Sequence, residues 1–259
     1  MIIQAESLED EDATGDTTNP NANLYNGLVA YWKLDENSSD FRQDVTKSPT
    51  YDLNPINGPV QTKEIGKFNR AVQFSNNPIV NYLYGFDDAS LRLTAGSFTL
   101  GCWVYATGPF TPLGSDQYSI IHKGNGTTEY KMEISGIGGF PNQYSWRPGF
   151  TDTSGFRDVL FGNNHPTNRW NFFLMAYDAI GDPTHMVLGH RNPPTGLWLE
   201  LNLVVTPPLI SGTGDLYLGY NLINGSNAAI DELVMYNRFL SAAERLQLWN
   251  NDLGRTFKF

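Results

Sequence analysis

Gly219-Tyr-Asn-Leu-Ile-Asn-Gly-Ser-Asn-Ala-Ala-Ile-Asp-Glu-Leu-Val-Met-Tyr-Asn-Arg-Phe-Leu-Ser-Ala-Ala-Glu-Arg245 is the stretch whose reading decides the fold. Ile230 to Tyr236 alternates, which predicts a short strand. Strict alternation puts Ile230, Glu232, Val234 and Tyr236 on one face and Asp231, Leu233 and Met235 on the other. A turn at Asn237-Arg238 follows, then Ser241-Ala-Ala-Glu244. That spacing is a capping box: the Ser241 hydroxyl takes an orphan N–H at the helix start, and Glu244 reaches back to the N–H of the cap. The helix is expected to run to about Asn250 and to stop before Gly254.

Working outward, three earlier blocks have the same character. Gly27-Leu-Val-Ala-Tyr-Trp-Lys-Leu34 sets Leu28, Ala30, Trp32 and Leu34 on a wholly apolar face. Gly66-Lys-Phe-Asn-Arg-Ala-Val-Gln-Phe-Ser-Asn-Asn77 leads into a short strand. In Gly96-Ser-Phe-Thr-Leu-Gly-Cys-Trp-Val-Tyr-Ala106, Phe98, Leu100, Cys102 and Val104 alternate with Thr99, Gly101, Trp103 and Tyr105. Bulk on both faces is the mark of a central strand in a sandwich. In this order and spacing, the four blocks resemble laminin G-like, concanavalin A-like jelly-roll domains over roughly residues 25 to 250. The resemblance implies an all-β antiparallel two-sheet sandwich with one short C-terminal helix. It does not select a function, because the fold carries lectins, adhesion modules, enzyme accessory domains and viral proteins.

Composition agrees with that class. Charged residues make up 17% of the 259, aromatic residues 13%, and there are 25 Gly and 15 Pro, which favours short strands and turns over helices. About a dozen strands are expected. Ser135 to Gly155 reads as irregular, with Trp146 inside it. Trp32, Trp103 and Trp170 read as core. The single cysteine, Cys102, excludes an internal disulfide and reads as a small buried hydrophobe. No apolar run reaches the length of a membrane span, and the N-terminus lacks the pattern of a signal peptide.

Of the net charge of −10, residues 1–24 supply six acids and no Lys or Arg; the rest carries 17 bases against 21 acids. The expected domains are an acidic extended arm over 1–24 and a jelly roll over 25–259. The arm is expected to dock on a partner, with Ile2, Ile3 and Leu8 as apolar anchors. The body is too weakly charged to track phosphates, so nucleic acid is not an expected partner.

For chemistry, no Gly-x-Ser-x-Gly elbow is present. His122, His165, His185 and His190 show no i, i+4 pairing on a helix and have no cysteine partner for zinc. Retaining glycosidases of this fold class resemble a Glu-x-Asp-x-x-Glu strand pattern, and no such run occurs. The expectation is a protein that is not an enzyme. The family resemblance implies calcium where the early acidic loop meets the closing strand, at Asp35, Glu36, Asp44 and Asp231. The alternative is that Asp231 takes backbone N–H groups and the others are solvated. Tyr118, His122, Tyr144 and Trp146 form a candidate sugar-stacking surface; alternatively, Trp146 only pins its loop. The functional expectation is a virion structural or decoration protein of a tailed phage, on the virion surface, because an extracellular-type fold stands without a secretion signal. Its arm would dock on other virion proteins or copies of itself, and its jelly roll would face outward, with surface glycans as further partners. Alternatives are a carbohydrate-binding or adhesion module not tied to a virion, and a glycan-active enzyme.

Overall fold

A computed structural model describes residues 22–37, 40–46, 51–56, 60–63, 65–74, 81–108, 110, 117–125, 127–137, 140–191, 195–220 and 227–257. In chain order the elements are α1 (Ala22–Tyr25), β1 (Leu28–Trp32), β2 (Asn54–Ile56), β3 (Gln61–Lys63), β4 (Ala71–Phe74), β5 (Tyr82–Gly85), β6 (Phe98–Thr107), β7 (Gln117–Asn125) and β8 (Thr127–Ile137). They continue with β9 (Phe140–Asp152), β10 (Gly155–Asp158), β11 (Phe161–Pro166), β12 (Trp170–Asp178), β13 (Asp182–Arg191), β14 (Trp198–Val204), β15 (Leu216–Leu218), β16 (Asn227–Tyr236) and α2 (Ala242–Trp249). The first sheet runs β14-β13-β12-β6-β16-β4-β3, with β1 also on β16; the second runs β10-β9-β8-β7-β15-β5-β2, with β11 also on β9. The pairings are antiparallel, and the two sheets pack as a sandwich.

The main core lies between the sheets. Phe98, Leu100, Cys102 and Val104 of β6 meet Met132, Ile134, Trp146 and Phe150 of the second sheet there. Cys102 is fully buried, and burial holds its thiol well above the ordinary range. The other face of the first sheet has a core of its own, where Trp103, Phe172, Leu174 and Tyr236 are covered by Leu248 and Trp249 of α2 and by Phe257. The Phe257 ring lies 5.1 Å from Tyr31 and 5.5 Å from Tyr25, so the C-terminal tail packs on the body. Trp170, expected in the core, is only half-buried, against Tyr105 at 5.5 Å.

The closing motif forms as the sequence predicts. The Ser241 hydroxyl accepts from the Glu244 N–H at 3.3 Å, and a Glu244 carboxylate oxygen accepts from the Ser241 N–H at 2.8 Å. Arg238 clamps the same carboxylate at 2.7 and 3.0 Å. The helix ends at Asn250, whose φ of 47° is the left-handed conformation a C-terminal stop requires.

Two features depart from the sequence reading. Residues expected to be irregular form the 13-residue strand β9. Pro148 and Gly149 signal a break, yet Pro148 falls where β9 changes partner, from β10 at Gly149 to β11 at Trp146. The second departure is a bulge in β16 between Asp231 and Val234. Two short strands share one side of β16 there, Val72 of β4 opposite Ile230 and Trp32 of β1 opposite Leu233. Glu232 sits between them at φ 51°. The extra residue breaks the alternation. Asp231 and Glu232, expected on opposite faces, both turn to the side carrying Trp103 and Tyr31, while Leu233 and Met235 enter the inter-sheet core.

Candidate functional site

The first sheet has apolar cores on both faces. The second sheet buries one face, and the residues on its other face set the chemistry of the candidate site. On β5, Leu83 and Gly85 point inward, so Tyr82 and Tyr84 point out. On β15, Leu216 and Leu218 are buried and Tyr217 points out. On β7, Ile121 and Lys123 are buried and the half-buried His122 points out. Register aligns these residues across three strands, with Tyr84 opposite Tyr217 and Tyr217 opposite His122.

Phe86 and Tyr220 extend the row, at 66% and 38% exposure. The rings touch in sequence: Phe86 to Tyr84 at 5.0 Å, Tyr84 to Tyr217 at 5.6 Å, Tyr217 to Tyr220 at 4.8 Å and Tyr220 to Tyr82 at 5.2 Å. His122 stands 6.0 Å from Tyr220 and 6.2 Å from Tyr217. Burial and a hydrogen bond to the Asp215 carboxylate push the Tyr84 hydroxyl up to about 12, which keeps it a neutral donor. Burial first, and the Lys131 charge second, lower the His122 imidazole, favouring its neutral form. The result is an uncharged aromatic surface with hydroxyls along it, which suits apolar ring faces flanked by polar groups.

The same outer face changes character toward β10. Lys131, opposite His122, pairs with Glu133 at 2.6 Å and lies 3.7 Å from Asp158; Arg147 also pairs with Asp158. Lys131 Nζ is 5.1 Å from the Phe156 ring centre. Gly149 makes room for both side chains, since a Cβ there would stand 2.7 Å from Lys131 and 2.9 Å from Phe156. These charges satisfy one another, so the aromatic half is the part left with binding capacity.

Of the residues expected to stack on sugars, only His122 lies on this face. Tyr118 is 1% exposed and Tyr144 and Trp146 are fully buried, so the expected surface of Tyr118, Tyr144 and Trp146 is corrected. A bulge between Ser119 and Ile121 is the reason for Tyr118: it places Tyr118 in the core and His122 outside, although alternation alone gives them one face. Tyr144 accepts a hydrogen bond from Asn171 at 2.7 Å, and Trp146 stacks on Phe173 at 5.1 Å. The residues the sequence reading missed are Tyr82, Tyr84, Phe86, Tyr217 and Tyr220. For the first three the signal was present in Tyr82-Leu-Tyr-Gly-Phe86, an aromatic at every second position with Leu or Gly between.

The acids expected at a calcium site are each taken by hydrogen-bond donors. Asp35 accepts from the Arg70 N–H at 2.9 Å, Glu36 from the Gln43 N–H at 2.7 Å, and Asp44 from the Tyr31 N–H at 3.0 Å. Asp231 accepts from the Lys67 and Phe68 N–H groups at 2.7 and 3.0 Å. Among the described residues no three His, Cys, Asp or Glu side chains converge as a metal site. Asp231 and Glu232 instead form a buried acid pair, with the Tyr31 hydroxyl donating to Glu232. Burial, then mutual repulsion, raises the Asp231 carboxyl; burial pushes Glu232 up to about 8. Shifted carboxyls often mark reaction sites, but this pair is sealed from solvent, at 0% and 3% exposure. The arm anchors Ile2, Ile3 and Leu8 lie outside the described residues. Among those described, no helix is long and apolar enough to cross a membrane.

No protein-family model matches the chain, and no curated protein matches it. Solved structures do. The binding domain of Paraclostridial Mosquitocidal Protein 1 is similar with a TM-score of 0.65 at 16% identity, over 88% of this chain and 53% of that one. Botulinum neurotoxin type C, from a structure on cell entry dependent upon two ganglioside molecules, is similar at 0.64 and 16%, over 91% and 53%. The binding domain of botulinum neurotoxin DC in complex with rat synaptotagmin II gives 0.62 and 14%, over 89% and 52%. The chain spans about half the length of these proteins. At such identities the likeness is one of fold: the chain is a two-sheet antiparallel β-sandwich of the kind found in these binding domains.

Proposed function

We propose that the chain is a non-enzymatic binding module that takes a glycan across the outer aromatic row Tyr82, Tyr84, Phe86, His122, Tyr217 and Tyr220. The observation that carries this reading is the row itself. It places six neutral rings in mutual contact on a sheet face, with Phe86 and Tyr220 open to solvent. Sugar rings offer C–H faces to such a surface and hydroxyls to its rim. The resemblance to laminin G-like domains and the similarity to toxin binding domains, one of them tied to gangliosides by its description, support the same reading. Screening the intact chain on a glycan array tests it. Retention of one or more oligosaccharides is expected, and its loss in a Tyr217→Ala/Tyr220→Ala variant. An array without a binder, or retention undiminished in the variant, contradicts the proposal.

A second reading places this module on a phage particle through residues 1–24. The charge asymmetry of the sequence favours it: six acids and no base in that segment. Such a segment suits a basic or neutral polar docking surface, and its attachment is expected to weaken with salt. Removing residues 1–24 then leaves glycan retention intact and abolishes attachment to a particle or to other copies. Unchanged assembly of the truncated chain contradicts this second reading alone.

A further inference from the structure

We infer that the cleft between the start of β8 and the loop 210–214 is a second binding site, taking a neutral, hydroxyl-rich group such as a single sugar ring through Glu129. The cleft has a volume of about 440 Å³ and is lined by Thr128, Glu129 and residues 210–214. That volume falls in the range of small-molecule sites. Among the described lining residues three side chains carry hydroxyls, Thr128, Ser211 and Thr213, one is apolar, Ile210, and none is aromatic.

Glu129 gives the cleft its chemistry. Its side chain is fully buried. One carboxylate oxygen, Oε1, accepts from the Thr94 hydroxyl at 2.6 Å and from Ser211 at 3.4 Å. The other, Oε2, has no hydrogen-bond partner among the described residues. It faces Gly212, 3.7 Å from where a Cβ on that residue would stand. A carboxylate oxygen in this state demands a donor. Lys123 does not fill the demand. Its ammonium lies 3.8 Å from Oε2 and is directed at Asp87 and the Gly214 carbonyl.

The charges around the cleft select the ligand. Lys123 balances the carboxylate, so a cationic ligand is not needed to neutralise it. An anion would approach Glu129 at a cost, and Ile210 is the one apolar side chain among the described lining residues, too little surface to hold a flat apolar ligand. A neutral donor rich in hydroxyls fits what remains. The loop is also tied to the aromatic row: Asp215, next to Gly214, binds the Asp87 N–H at 2.9 Å and the Tyr84 hydroxyl. The site nonetheless stands apart from the row in its residues and in its test.

The test uses the full chain and the methyl glycosides of glucose, galactose, mannose and N-acetylglucosamine as probes, titrated by saturation-transfer NMR. At least one glycoside is expected to bind, about tenfold more weakly to Glu129→Gln and to Gly212→Leu. Among the described residues outside its chain neighbours, a Cβ at Gly212 meets only Glu129 Oε2 within 4 Å, so a leucine can start into the cleft without a backbone clash at its Cβ, and the unfolding midpoint of Gly212→Leu should match the parent. That variant keeps the test decisive if Glu129→Gln folds poorly. Phe156→Ala, on the outer face away from both the cleft and the row, should leave glycoside binding unchanged, and Tyr217→Ala should lower it less than Gly212→Leu does. Absence of binding by all four glycosides, or undiminished binding to Gly212→Leu, overturns the inference. So does a loss with Tyr217→Ala as large as that with Gly212→Leu, because it moves the glycoside to the row.

Discussion

Trp146→Ala should destabilise the fold by about 3–5 kcal/mol, the usual cost of emptying a buried aromatic site. The side chain is fully buried in the middle of β9, opposite Ile134 on β8 and Phe161 on β11. It stacks on Phe173 across the sandwich at 5.1 Å, and His190 stands 6.3 Å away. Strands of both sheets line the site, so neither can close over the gap without moving the other. Tyr220→Ala, on the outer row, should stay within about 0.5 kcal/mol of the parent. Urea unfolding of the two variants measures the contrast. A cost below about 1 kcal/mol for Trp146→Ala would remove Trp146 from the core and return it to the candidate binding residues.

The dependence of stability on pH should have its maximum in mildly acid solution. His165 is fully buried beside Phe173, at 4.9 Å, and His190, at 5.1 Å. Burial, then the charges of His190 and Arg191, lower its imidazole from 6.5 to about 3. The folded state therefore refuses a proton that the unfolded chain accepts. This contribution is present in full above pH 6.5 and is lost as pH falls, by about 1.4 kcal/mol per pH unit. His190, lowered by burial, acts in the same direction.

Glu232 acts in the opposite direction. Burial raises it from 4.5 to about 8, so its contribution is present in full below pH 4.5 and is lost as pH rises toward 8. Asp231, raised by burial and by Glu232, adds to that loss. Between pH 4.5 and 6.5 the two slopes oppose each other, and outside that window each side falls away. Urea midpoints from pH 4 to 9 should peak inside the window. At pH 8, Glu232→Gln should stabilise the protein by on the order of 3 kcal/mol, since it removes a charge the folded state resists. A midpoint that climbs steadily to pH 8, with no gain from Glu232→Gln, would sink this account.

The fold was legible where its signals are local. A capping box needs only Ser241 and Glu244 three residues apart, and both hydrogen bonds form. The alternation of β6 needs only its own residues, and Phe98, Leu100, Cys102 and Val104 enter the inter-sheet core while Trp103 faces α2. The site was hidden by features that no local pattern carries. A single extra residue near Ser119–Ile121 reversed the face of Tyr118 relative to His122, and another at Glu232 brought two acids to one side. Both bulges answer to partner strands: β8 for the first, and for the second β1 and β4 meeting along one side of β16. Ser135 to Gly155 read as irregular because the change of partner strand at Pro148, which lets one long strand run through, is also non-local. The aromatic row itself was visible one strand at a time. Its assembly depends on β5, β15 and β7 lying side by side, which sequence order does not reveal.

Calorimetric titration of an array-selected glycan against single variants along the outer face tests the central claim most directly. Tyr84→Ala and Tyr217→Ala should each weaken binding about tenfold, a loss of about 1.4 kcal/mol, and Phe156→Ala, beside the ion pairs at the other end of the same face, should leave the affinity unchanged. Undiminished affinity in Tyr84→Ala and Tyr217→Ala, or an equal loss in Phe156→Ala, would contradict it.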